Sequence, residues 1–199
     1  MRHVRDLART APLVALVLLA AATAASAHGE PTAHVHGFAD GVMHPLLGPD
    51  HLAAMLAVGL WSATLGGVAV LAVPVAFVGL LVVGAILGAT GVSLPAVEPV
   101  VTGSVIVLGL LIALRARLPV VPAALLVAVF GLFHGWAHGA EMPSASSPFA
   151  YGLGFVAATA MLHLAGIGLG FELGRITWPH AARLAGACVA GVGVVLALG

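Results

Sequence analysis

Apolar residues run through this chain in long blocks rather than in alternation with polar ones. Six such blocks follow the first forty residues, near 44–65, 68–89, 97–115, 119–140, 149–171 and 180–198. Each has about the 20 residues that a tilted helix needs to cross about 30 Å of hydrocarbon. The breaks fall at Gly66-Gly67, Gly91 to Pro95, Arg115 to Leu118, Met142 to Pro148, and Gly174 to Pro179, where glycine, proline and charge interrupt helices. A membrane β-barrel would instead show short segments of alternating polarity. The pattern predicts an all-α polytopic membrane protein with about six transmembrane helices.

Ahead of these blocks, the N-terminus reads as a secretory signal. Arg2, Arg5 and Arg9 form a positive region, Leu13 to Ala24 an apolar one, and Ala25-Ser26-Ala27 a small-residue cleavage site. An uncleaved first membrane helix is the alternative, but the run is short and ends in the cleavage pattern. The expected division is a signal peptide over 1–27 and a single transmembrane domain over 28–199, its N-terminus outside. The inner loops are then 65–67, 115–119 and 172–180. Arg115, Arg117, Arg175 and Arg183, the only arginines beyond the signal, lie in or beside them. Glu30, Asp40, Glu98 and Glu141 fall toward the other side. Signal and positive-inside rule thus give one orientation.

Composition narrows the function. The chain is 61% hydrophobic and 7% charged, with mean hydropathy +1.17, which excludes an ordinary soluble domain. Its net charge is zero, so nucleic acid is not an implied partner; the lipid bilayer is. There is no lysine, which removes retinal-type Schiff-base chemistry. The single cysteine, Cys188, cannot form an intrachain disulfide. Twenty-six glycines, many inside the blocks, fit closely packed membrane helices.

Against this background, ionisable residues within the apolar blocks stand out, because they are expensive in a membrane and mark functional sites. One cluster is His44, Asp50 and His51. Pro45, Gly48 and Pro49 interrupt it, so a bent or restarted helix is expected there, with Asp50 and His51 in its first turn. Asp50 is then either a ligand or a cap favoured by the helix dipole. The second cluster is His134, His138 and Glu141, at i, i+4 and i+7 on one side of the fourth helix. His51 lies about 10 Å below the outer end of its block and His134 about 9 Å below the end of its own, so the two meet at one depth. Imidazole and carboxylate without thiol suit a borderline divalent ion such as nickel, cobalt or zinc. Histidines serving only as polar glue between helices would not need to coincide in depth.

Other groups carry weaker signals. Glu98 begins the third helix at the outer level, as an added carboxylate or a solvated loop acid. His163 sits deeper, with Glu172 at the inner end of the same helix. Together they suit an ion or proton path, although a lone buried histidine bonded to a carbonyl is the ordinary alternative. His28, His34 and His36 lie in the mature N-terminal segment and can gather metal at the mouth.

These residues carry a family resemblance. His36 with Gly41, His44-Pro-x-x-Gly48-x-Asp50-His51-Leu52, and Phe133-His134-Gly-x-Ala-x-Gly-x-Glu141-x-Pro143 resemble the HupE/UreJ family. Its members are small bacterial membrane permeases or accessory factors associated with nickel supply to hydrogenase and urease. The resemblance covers essentially the whole chain. It implies secondary nickel uptake across the bacterial inner membrane, with His36, Asp50, His51, His134 and Glu141 in functional positions and Glu98 beside them. His138 stands as an additional histidine within the second motif. No permanently bound cofactor is expected; Ni2+, or Co2+ or Zn2+, is the cargo, and nickel-enzyme maturation proteins are the implied partners. The alternatives are a delivery factor that does not translocate metal and a b-type haem protein. Neither a His-Glu-x-x-His zinc-protease motif nor a Walker loop occurs, so neither an enzyme nor direct ATP driving is expected.

Overall fold

The computed structural model describes residues 37–142, 147–175 and 180–199. The expected signal peptide over 1–27 and the segment carrying His28, His34 and His36 lie outside the described residues. Among those described, the chain forms seven helices and no strand: α1 (Gly37–Leu47), α2 (Pro49–Leu65), α3 (Ala69–Ala89), α4 (Val97–Ala113), α5 (Val120–Ala140), α6 (Pro148–Arg175) and α7 (Ala181–Leu198). Helices α3, α5, α6 and α7 are long and apolar enough to cross a membrane, and α4 is an apolar helix of 17 residues. Their outer surfaces carry large exposed apolar side chains such as Leu71, Val75, Leu125, Leu164 and Val195, as lipid-facing helices do. The protein is an all-helical, polytopic membrane protein.

The first span is broken where a bent or restarted helix is expected, but it starts earlier than the expected residue 44. It is two helices, and it begins at Gly37. Gly48 adopts an extended backbone (φ −83°, ψ 111°), and Pro49 starts α2 without an amide hydrogen to continue the ladder. Asp50 and His51 occupy the first turn of α2, as the proline and glycine spacing predicts. The early start of α1 escaped hydropathy because its buried face is Gly37, Gly41 and Pro45, small residues at i, i+4 and i+8. At its inner end, α6 runs to Arg175, four residues beyond the expected 171.

Glycines fix how the helices pair. On α5, Gly131, Gly135 and Gly139 lie one turn apart, and a Cβ at each would overlap the carbonyl oxygen of Phe77, Leu81 or Ala85 in turn. The constant offset means that α3 and α5 run parallel, backbone against backbone, as small residues allow in membranes. Gly41 meets Tyr151 and Gly59 meets His163, so α1 and α2 run along α6 in its own direction. Gly109 opposite Ala190, and Gly186 opposite Ala113, set α4 antiparallel to α7.

The pairing of α1 and α2 with α6 also measures the bend at Gly48. Gly41 and Gly59 are eighteen residues apart, whereas their neighbours Tyr151 and His163 are separated by twelve. Helix contour of about 27 Å therefore covers a gap of about 18 Å along α6. The span is therefore not straight between these two contacts.

Helix α2 is central. Ala57 to Ser62 are all buried, a run that leaves no outward face. Its Trp61, Met55 and Val58 form the core with Phe77 and Leu81 of α3, Leu108 and Ile112 of α4, and Phe155 of α6. The Trp61 indole donates to the Ala116 carbonyl (3.1 Å), tying the inner end of α2 to the turn after α4. The hairpin between α2 and α3 needs Gly66 and Gly67, whose φ values are +75° and +53°. These directions gather Arg115, Arg117, Arg175 and Arg183 at one end of the bundle, and Asp40, Glu98 and Glu141 at the other.

Candidate metal centre

The bend at Gly48 places two histidines on separate arms of one span. His44 is in the last turn of α1, and His51 is in the first turn of α2. On α5, His134 and His138 each precede a glycine of the row that packs on α3, so they project about 100° away from that contact. They point instead into the space left by the bend. Four imidazoles meet there. The His138 ring lies 4.5 Å from that of His44 and 4.1 Å from that of His51, and His51 lies 4.8 Å from His134. The two clusters do converge at one level.

Hydrogen bonds set which nitrogen of each ring is free. Asp50 Oδ1 accepts from His51 Nδ1 (2.7 Å) and from the His51 backbone N–H (2.8 Å). A carboxylate only accepts, so Nδ1 carries the hydrogen and the Nε2 lone pair faces the cluster. Asp50 thus orients His51 from behind, as carboxylates do for metal-ligating histidines. The Ser104 hydroxyl donates to the Val101 carbonyl (2.6 Å) and can then only accept from His134 Nε2 (2.9 Å). That leaves the His134 Nδ1 lone pair free. His51 Nε2, His134 Nδ1 and both nitrogens of His138 are buried without a hydrogen-bond partner among the described residues. Each unpartnered buried polar atom costs about 1–3 kcal/mol, so the cluster has a strong physical demand for a ligand.

His44 is different, because both of its nitrogens are engaged. Nε2 donates to Glu141 Oε2 (3.2 Å), and Nδ1 accepts from the Tyr151 hydroxyl (2.8 Å). Ligating atoms of His44, His138 and Glu141 all lie within 4.8 Å of one another, a separation that one ion can bridge. An ion held between them would take the place of the proton on His44 Nε2.

Exposure falls along the cluster, from 63% for the Glu141 side chain through 30% for His44 to 11% for His51. His138 and His134 are fully enclosed. The gradient defines an entrance at the acidic end of the bundle and a blind interior. Glu98 belongs to that entrance: it lines, with Glu141, Trp136 and Ala140, an open cavity of about 390 Å³. The turn before it is fastened by the Trp136 indole, which donates to the Val92 carbonyl. An apolar cavity of about 370 Å³ between α3, α5 and α6 also reaches His138, but Leu81, Ile86, Phe149 and Phe155 line it, and its walls offer almost no polar atoms to an ion.

Of the residues singled out in the sequence, His44, Asp50, His51, His134, His138 and Glu141 come together, and Glu98 stands at the mouth. His36 lies outside the described residues. His163 is buried below the cluster. Glu172 is not aligned with it: nine residues further on, it faces the opposite side of α6 and is paired with Arg175 (2.7 Å). Sequence reasoning missed Tyr151, Ser104, Phe77 and Phe155. Tyr151 and Phe155 could have been found as an i, i+4 pair above His163 on one face of α6; Ser104 and Phe77 left no signal.

The family model described as HupE / UreJ protein matches residues 15–196. Protein HupE of Rhizobium leguminosarum bv. viciae is 42% identical over 186 residues, which cover 94% of this chain and 97% of that protein. No solved structure matches the chain.

Proposed function

The chain belongs to the HupE / UreJ family, and on that premise we propose that it is a secondary permease for a divalent transition metal. Nickel is the first candidate cargo, destined for a nickel enzyme of the hydrogenase or urease type. The observation that carries this reading is the set of unpartnered imidazole nitrogens converging inside a membrane-spanning bundle beside two carboxylates. Nitrogen and oxygen donors without thiolate suit Ni2+, Co2+ and Zn2+. The protein binds the ion at its open, acidic end and releases it at the arginine-rich end, which the positive-inside rule assigns to the cytoplasm. Its N-terminus is then periplasmic, in the bacterial inner membrane. The role is transport rather than catalysis, with no resident cofactor.

A haem is disfavoured by the rings themselves. A macrocycle needs a flat slot between opposed imidazoles, whereas these meet edge to face at 4.1–4.8 Å. Radiolabelled nickel uptake into proteoliposomes, with cobalt and zinc as competitors, tests the reading. Saturable uptake that is lost in His138→Ala supports it. Tight binding by the purified protein without any uptake would instead identify a delivery factor.

A further inference from the structure

Below the metal cluster a fifth histidine repeats its chemistry. His163 is 2% exposed, and both of its ring nitrogens lack a hydrogen-bond partner among the described residues. A neutral imidazole has one donor and one acceptor, so both are stranded in an apolar interior. The expectation of a lone structural histidine bonded to a carbonyl is not met, since His163 makes no such bond.

Its position links it to the cluster. Tyr151, Phe155, Thr159 and His163 are spaced by four and descend one face of α6. Tyr151 bonds His44, and Phe155 packs on His138 with ring centroids 4.0 Å apart. His163, about 18 Å below Tyr151, lies near the midpoint of α6. An aromatic ring lies between His134 and His163. Phe77 of α3 is 5.7 Å from His134 on one side and 5.1 Å from His163 on the other. The imidazoles therefore form a descending series, with the apolar Phe77 side chain between the cluster and its lowest member.

We propose that His163 is an inner coordination station, which takes the divalent ion from the upper cluster once the Phe77 ring moves aside. This rests on the transport reading above. One imidazole holds such an ion weakly compared with the several donors above it, and weak inner binding is what onward release requires. The Thr159 hydroxyl, one turn above, donates to the Phe155 carbonyl (2.9 Å) and keeps its oxygen lone pairs available.

Two quantities separate this role from others: equilibrium nickel binding to purified protein, which reads the upper cluster, and the initial rate of nickel uptake into proteoliposomes. His163→Leu is expected to keep upper-cluster affinity within about twofold and to slow uptake by about tenfold or more, in line with the scale on which metal sites respond to lost partners. His163→Cys, which restores a metal-ligating side chain, is expected to recover a substantial part of the rate. Wild-type uptake by His163→Leu overturns the proposal. So does loss of upper-cluster binding in that variant, or equal loss of uptake in both variants, either of which assigns His163 to packing. If the unmodified protein binds nickel but transports none, the transport reading itself fails, and this station with it.

Discussion

His44 and Asp50 show how much depends on single hydrogen positions. On the proposed ligation, an ion would take the place of the His44 Nε2 hydrogen bonded to Glu141, so that metal binding would release a proton. Nickel affinity measured by titration calorimetry is expected to fall as pH drops through the imidazole range, about 6.5 for an unperturbed histidine, and to level off above it. Affinity that rises on acidification would contradict imidazole ligation. Tyr151→Phe removes only the O–H that orients His44, and about a tenfold loss of affinity with unchanged thermal stability is expected. Asp50→Asn keeps the shape and deletes the anion behind His51; affinity is expected to drop by about 10–100-fold. An unchanged affinity at equal protein yield would reduce Asp50 to a helix-start residue. The motif also explains its own glycine. A Cβ at Gly48 would sit 3.1 Å from Asp50 Oδ1 and 3.3 Å from His51 Nδ1. Gly48→Ala should therefore weaken binding by displacing that pair while leaving the fold intact.

At the level of elements, small residues carry the assembly. Gly135 on α5 has the Leu81 carbonyl directly opposite, so Gly135→Ala must push α3 and α5 apart, at a cost of about 1–3 kcal/mol. Gly152→Ala on α6 meets nothing within 4 Å and should be neutral or slightly stabilising. Thermal unfolding in detergent distinguishes the two; equal melting temperatures would refute the glycine contact. Helices α3 to α7 were legible because each is an apolar block closed by glycine, proline or arginine, and their observed ends fall within four residues of the expected ones. The start of α1 was not, since a helix whose buried face is Gly37, Gly41 and Pro45 carries little hydropathy. The site was legible in its ionisable members, which are conspicuous in apolar sequence. Its supporting residues were not: Ser104 and Tyr151 reach His134 and His44 across 30 and 107 residues, a proximity that no local pattern encodes.

For the whole molecule, one polar seam descends through an apolar bundle, open at the end bearing Glu98 and Glu141 and closed beneath His134. The orientation is testable apart from metal. In a Cys188→Ala background, a cysteine placed at Ala116 should resist an impermeant reagent added outside, and its labelling would invert the topology. On the proposed function, a transition-metal ion is held by imidazoles from both arms of the bent span and from α5. X-ray absorption at the nickel edge of purified protein loaded with one equivalent tests it most directly. A shell of nitrogen and oxygen donors with the outer-shell scattering of several imidazoles is expected, diminished in His138→Ala and free of sulfur. A shell of oxygen alone, without imidazole scattering, would contradict it.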